Sequence, residues 1–449
     1  MHRRNFLQQS GSLIAGTLLA DSILAEGSSS PLNPFAKKRV ALVGTGSRGL
    51  GMWGKPVINE FPDSVQFVGL CDINPGRVQT GKEILGVNCA TYTDLEKMLK
   101  ETKPELLLVM SVDGVHHEHI IKGLESGADV VSEKPMTIDE KKVQAILDAE
   151  KRTGKKVRVT FNYRYSPHRQ KLYELLRNGA IGKITSTDFH WYLDTSHGAD
   201  YFRRWHRLRK NAGTLLVHKA SHHFDLLNWW LDSEPEEVFG YGSLEHYGKN
   251  NSFRHTHCRP CPHKDKCPYY YDITKNKEYM ALYVANEKHD GYLRDGCVWK
   301  EDIDIFDKMA VQIKYANNIQ VSYSLTTYSP YEGYRIAFNG TKGRLEAWVK
   351  ESQPWEEEDF DEIHLTSNFG KREIIKVPNN EAGHGGGDTR LRKQIFNSDG
   401  QDPYRQAAGS RDGAMAVLVG IAARNSIDSG KPVKIADLTS LKPEKQRSV

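Results

Sequence analysis

Between residues 38 and 161, short apolar runs recur with helix-length polar stretches between them. The runs Val40-Ala41-Leu42-Val43, Val68-Gly69-Leu70-Cys71, Leu106-Leu107-Leu108-Val109-Met110, Ala128-Asp129-Val130-Val131-Ser132 and Val157-Arg158-Val159-Thr160-Phe161 are apolar enough to be buried strands. That alternation predicts a doubly wound parallel sheet. After residue 162 the pattern changes. A helix over 170–177 stops at Asn178-Gly179, and apolar and polar positions then alternate over 185–191, 238–244, 309–315, 319–326, 334–339 and 343–349. Period two over many short runs predicts a large, mostly antiparallel sheet with one open face. A late Ala-rich helix is expected over 412–427, and the acidic run 356–362 reads as a solvated loop.

The first strand runs into Gly44-Thr45-Gly46-Ser47-Arg48-Gly49, and the second closes on Asp72. Gly44 permits a sharp turn, Gly46 lets backbone approach a pyrophosphate, and Gly49 lets the following helix pack on the strand. Free N–H groups at that helix start can hold phosphates. The Asp72 carboxylate can accept from both hydroxyls of an adenosine ribose and repels a 2′-phosphate, so NAD is expected, with Arg48 and Arg77 keeping NADP as the alternative. The fold class is thus α/β: a Rossmann domain over 38–161, followed by an α+β domain over 162–449 with an open-faced sheet.

Residues 1–37 stand outside that fold. Arg3-Arg4-Asn5-Phe6-Leu7 precedes a short apolar stretch and Ile23-Leu24-Ala25, the order of a twin-arginine export signal with its cleavage site and linker. The apolar stretch is too short to span a bilayer, so the expectation is a periplasmic protein handed to the twin-arginine machinery, without stable membrane insertion. Lys plus Arg total 62 and Asp plus Glu 57, for a net charge of +5, which gives no reason to expect nucleic acid as a partner.

Hydride transfer from a carbinol needs a nicotinamide face, a base for the hydroxyl proton and a donor for the developing oxyanion. Lys134, in Glu133-Lys134-Pro135 at a strand end, is placed for the donor. In the stretch from Gly213 to Leu227, His218 and His222 are four residues apart and would share one side of a helical turn. An imidazole near neutral pKa can take the proton, and Lys219 can add a cation. Two histidines also raise a metal pair, without a third ligand at fixed spacing. Ser111, His116, Glu133, Lys134 and Arg164 join Gly44, Gly46, Ser47, Arg48, Gly49 and Asp72 as expected cofactor contacts.

With the glycine turn, Glu133-Lys134-Pro135, Asn162-Tyr163-Arg164 and the histidine stretch in this order, nearly all of the chain after residue 37 resembles the Gfo/Idh/MocA oxidoreductase family. The resemblance implies NAD(P)-dependent oxidation or reduction of sugars, inositols and related polyols. It also implies the alternative followed by a few members, glycosidase or lyase action through transient oxidation by tightly bound NAD. It matches Lys134 to the lysine near the reacting hydroxyl, His222 to the catalytic histidine and Asp225 to the later acid. His218 stands where the pattern commonly has Asp, which changes the charge beside the base.

Three further features bear on substrate and assembly. Arginines and aromatics over 201–210 suit an acidic or sulfated sugar, or else form a solvated basic loop. His384 and the glycines after it suggest backbone approaching a ligand or another chain, and His384 could reach the site. The open-faced sheet invites pairing as a homodimer or homotetramer. Four of the six cysteines, Cys258, Cys261, Cys267 and Cys297, fall in a polar insertion over about 250–300 that cannot build its own core. Structural zinc, two disulfides or an iron–sulfur cluster are the readings; a closed four-thiolate site leaves no open catalytic position.

Overall fold

Within 37–448 the computed structural model describes every residue except 357, 380 and 381, so the expected export signal lies outside the described residues. Six parallel strands form the first sheet: β1 (Lys38–Val43), β2 (Val65–Cys71), β3 (Ala90–Tyr92), β4 (Leu106–Val109), β5 (Asp129–Ser132) and β6 (Val157–Val159). Their order is β3-β2-β1-β4-β5-β6, and the chain reverses its winding between β1 and β4, where such sheets open a ligand crevice. Local signals set the helices between them. Asn74 accepts the Arg77 N–H at the start of helix Pro75–Leu85, which ends on Gly86 in the left-handed conformation.

The glycines after β1 act as packing residues. A Cβ on Gly44 would lie 2.4 Å from the Met110 carbonyl oxygen, and one on Gly49 would lie 2.1 Å from that of Gly44. Only glycine lets the turn pass this close to β4 and the helix start close on the turn.

The second sheet has nine strands: β7 (Ile184–Asp194), β8 (Pro235–Ser243), β9 (Lys308–Tyr315), β10 (Gln320–Ser329), β11 (Glu332–Gly340), β12 (Gly343–Ser352), β13 (Phe360–Ser367), β14 (Arg372–Pro378) and β15 (Val433–Lys434). The order is β14-β13-β12-β11-β7-β10-β9-β8-β15, with β7 and β10 parallel and every other pair antiparallel. One face is buried, and helix Ala220–Leu231 is buried along its whole length. The other face is open, with Lys308, Ala310, Gln312 and Lys314 of β9 exposed. The acidic run 356–362, expected as a loop, ends inside β13, whose apolar positions pair with β12.

The polar insertion contains only short helical turns. Its Leu282 and Tyr283 join the apolar cluster that holds Leu50 and Val78 of the first domain, so the segment borrows a core. Among the described residues no helix is long and apolar enough to cross a membrane.

Candidate active site

A cleft of about 1450 Å³ opens along the carboxyl ends of the parallel strands. Gly44, Gly46, Ser47, Arg48, Asp72, Ser111, His116, Glu133 and Lys134 line it, as the glycine motif requires. Gly49 supports this cleft from behind by its contact with Gly44. Glycine at 46 leaves room for the Tyr283 hydroxyl, 3.2 Å from where a Cβ would stand, beside a helix start of the kind whose amides hold a pyrophosphate. Glu133 is fixed by Arg48 (2.7 Å) and the Trp53 indole N–H (2.9 Å), and His116 by the carbonyls of Pro135 and Ser111.

The Asp72 carboxylate accepts from the Thr45 N–H (2.9 Å) and hydroxyl (3.1 Å), the Asn74 N–H (3.0 Å) and Arg77 (3.0 Å). Arg77 also pairs with Asp290 at 2.6 Å, so two carboxylates enclose one guanidinium. Asp290 belongs to the insertion, and it is not alone. The Tyr283 hydroxyl accepts from the Ser47 N–H at 2.7 Å, and the Asn286 carbonyl accepts from the Asn74 amide at 2.9 Å. The insertion therefore lies over the nucleotide edge, which polar composition and cysteine spacing gave no means to foresee.

Arg164 is a correction to the expected cofactor contacts. Its turn, Asn162–Tyr165, directs Tyr163 toward the site and Arg164 away from it. The guanidinium is fully buried, grips Asp225 through two bonds of 2.8 and 2.6 Å and reaches Asp412 at 3.0 Å. Asp225 is thereby a structural partner of Arg164.

At the inner end of the cleft, Lys134 Nζ donates to the His218 carbonyl at 3.3 Å, and His218 Nδ1 lies 2.5 Å from Asp113. Burial lowers Lys134 to about 8, holds His218 well below the ordinary imidazole range and raises Asp113, against the pull of the Lys134 charge. The proton between Asp113 and His218 belongs to the pair. A neutral imidazole whose Nδ1–H donates to Asp113 keeps Nε2 as an acceptor, and His218 lines the cleft. His222 sits deeper: its ring stacks on Tyr163 at 4.2 Å, and its Nδ1 is buried without a partner. Sequence spacing put both histidines on one side; Lys219 between Leu215–His218 and helix Ala220–Leu231 keeps helical dihedrals, yet only His218 lines the cleft. The short helix Leu215–His218 starts at Thr214, a non-glycine residue at φ 149°.

A second cleft of about 1490 Å³ meets the first, and His197, Asp200, Tyr279 and Arg294 line both. At the junction Lys219 donates to the Tyr163 hydroxyl (3.0 Å), and His197 bridges Glu332 (2.8 Å) and Tyr201 (2.9 Å). His384 lines this cleft, with its Nδ1 3.0 Å from the Asn162 amide. The adjacent glycines approach the chain itself, for a Cβ on Gly387 would lie 2.5 Å from the Asn162 carbonyl. Lys219, Tyr163, His197 and Glu332 come from four separate segments, so no local motif announced their meeting.

The arginines over 201–210 are largely spent inside the protein. Arg203 donates to the Tyr269 and Gly296 carbonyls, Arg204 to Asp200, Arg207 to Asp302 and Arg209 to Asp304 and Asp428. The expected zinc or disulfides are also corrected. All four insertion cysteines are free thiols, and among the described residues no group of three or more His, Cys, Asp or Glu is arranged to hold a metal ion.

Residues 38–161 match the family described as "Oxidoreductase family, NAD-binding Rossmann fold", and residues 173–435 match "Oxidoreductase family, C-terminal alpha/beta domain". YteT of Bacillus subtilis (strain 168) is 36% identical over 429 residues, covering 89% of this chain and 98% of that protein. The myo-inositol 2-dehydrogenase of Thermotoga maritima is 27% identical over 211 residues, 46% of this chain and 58% of that enzyme. In fold, the chain is similar to a levoglucosan dehydrogenase solved with NADH and L-sorbose, with a TM-score of 0.65 at 18% identity, covering 89% and 99% of the two chains.

Proposed function

Because the chain belongs to the Gfo/Idh/MocA oxidoreductase family, we propose that it moves a hydride between NAD and a secondary hydroxyl carbon of a sugar or polyol. The observation that carries this reading is the convergence of Lys134 and the Asp113–His218 pair in the cleft along the parallel strand ends. NAD, when bound, supplies the hydride acceptor. Protonated Lys134 donates to the reacting oxygen and steadies it as the carbonyl forms. His218 takes the hydroxyl proton at Nε2, and Asp113 orients the ring and balances the imidazolium. His222, stacked beneath Tyr163, positions that ring.

Two carboxylates around Arg77 favour NAD over a cofactor with a further phosphate. Carboxylates outnumber cationic side chains along the second cleft, and with the 201–210 arginines paired internally a neutral glycoside suits it better than an acidic sugar. Its size exceeds the needs of one sugar ring, and Tyr269, Tyr270 and Trp355 offer stacking faces for further units. Twin-arginine export to the periplasm and assembly into dimers or tetramers through the open sheet face remain parts of the proposal, motivated by Arg3-Arg4 and the exposed face of β9.

Lys134→Ala should lower turnover about 10²–10⁴-fold with nucleotide still bound. A variant with full activity would remove Lys134 from the mechanism. Because Lys134 acts in its protonated form, the rate of oxidation should fall as pH rises through about 8, where it loses its proton. A rate that climbs through that value would make Lys134 the base instead.

One observation favours a second reading, the glycosidase or lyase cycle with retained NAD. The insertion closes on the nucleotide edge through Tyr283, Asn286 and Asp290, as a protein that keeps its cofactor between turnovers would require. A product of unchanged oxidation state, formed without added NAD, would establish that cycle.

A further inference from the structure

The insertion brings one cation to the nucleotide cleft that the protein itself does not neutralise. Helix Lys277–Leu282, capped at its start by Asn276, sets Tyr279 and the following Tyr283 four residues apart on one side. The Arg294 guanidinium lies over both rings, 4.1 Å from the Tyr279 centroid and 4.5 Å from that of Tyr283. The two aromatic faces hold it in place, and only 6% of the residue is exposed.

Five described arginines line this cleft, and four of them are spent. Arg48 pairs with Glu133 at 2.7 Å, Arg77 with Asp72 at 3.0 Å, Arg204 with Asp200 at 2.5 Å and Arg392 with Glu60 at 2.9 Å. Arg294 has neither a hydrogen-bond acceptor nor a carboxylate at ion-pair distance among the described residues. A buried guanidinium with its N–H fork unfilled is costly until an anion completes it. The neighbouring phenol also has a donor to spare. Tyr283 Oη accepts from the Ser47 N–H at 2.7 Å, and its own proton has no acceptor among the described residues. That amide belongs to the glycine turn, so the unpaired guanidinium stands one aromatic ring away from it.

We propose that Arg294 and the Tyr283 hydroxyl are the insertion's contribution to a pyrophosphate site at the glycine turn. A dinucleotide's pyrophosphate carries two negative charges, of which a helix start offsets only part. The guanidinium fork supplies charge-assisted bonds to the phosphate oxygens, and the phenol adds one neutral donor. Carboxylates outnumber cations along the second cleft, which disfavours an anionic sugar beside Arg294 and leaves the nucleotide as its anion. The assignment rests on the proposed use of NAD, and it extends cofactor binding from the parallel sheet to a segment of the second domain.

The test compares the binding of NAD, ADP and adenosine to the full chain by titration calorimetry, with Arg294→Gln as the variant. ADP carries the pyrophosphate and adenosine lacks it. The variant should bind NAD and ADP about 10–100-fold more weakly and adenosine as before. Should it fold poorly, Arg294→Lys keeps the charge without the fork and should still lower the ratio of ADP to adenosine affinity several-fold. An unchanged ratio in either variant, or unchanged NAD affinity with a raised KM for the sugar, would overturn the assignment. Unaltered protein that binds neither NAD nor ADP would instead overturn the redox reading on which it rests.

Discussion

The nucleotide edge of the parallel sheet and the insertion laid across it meet through Tyr283 and Asp290, but they are held in opposite ways. The sheet edge is built from buried apolar strands and from glycines whose hydrogens touch neighbouring carbonyls. Its order comes from close packing, which tolerates little change. The insertion has no sheet and no core of its own, and polar bonds and borrowed apolar contacts fix it. Rigidity in the first region places the groups that line the cleft; under the proposed function, attachment of the second sets how long a nucleotide stays.

The largest effect expected is at the base of the packed region. Arg164→Ala leaves Asp225 and Asp412 without their shared cation and should cost about 3–5 kcal/mol in chemical denaturation. Nucleotide affinity of the folded remainder should hold, whereas a selective loss of affinity would return Arg164 to the cofactor site. Gly49→Ala puts a Cβ 2.1 Å from the Gly44 carbonyl and should cost at least 1–3 kcal/mol, while Gly51→Ala, with nothing within 4 Å, serves as its neutral control. Equal stability of the two variants would contradict the packing account. In the insertion the balance reverses. Tyr283→Phe removes one hydrogen bond to Ser47, so stability should change by under about 1 kcal/mol while nucleotide dissociates several-fold faster. An unchanged dissociation rate would detach the insertion from cofactor retention.

The same contrast explains what could be read in the chain. Apolar runs and the glycine turn act through neighbours close in sequence, so the strands, the parallel sheet and the lining by Gly46, Ser47, Arg48 and Asp72 were legible. Lys134 was also legible, because a strand end fixes its place. Arg164 was misread because a short turn sends successive side chains to opposite sides, and spacing alone does not say which. His218 and His222 look like a helical pair, but only His218 lines the cleft while His222 is stacked against Tyr163. Asp113 gained its role only from the meeting with His218, 105 residues away. The bonds from Tyr283 and Asp290 span more than 200 residues, and no local pattern encodes such contacts.

One measurement bears most directly on the central claim, that this is an NAD oxidoreductase whose cofactor is held beneath the insertion. Freshly purified protein is denatured, and the released nucleotide is identified and counted by mass spectrometry and absorbance. The account predicts close to one NAD or NADH per chain, surviving gel filtration. Protein that emerges empty and fails to take up added NAD, or that carries NADP instead, would contradict it.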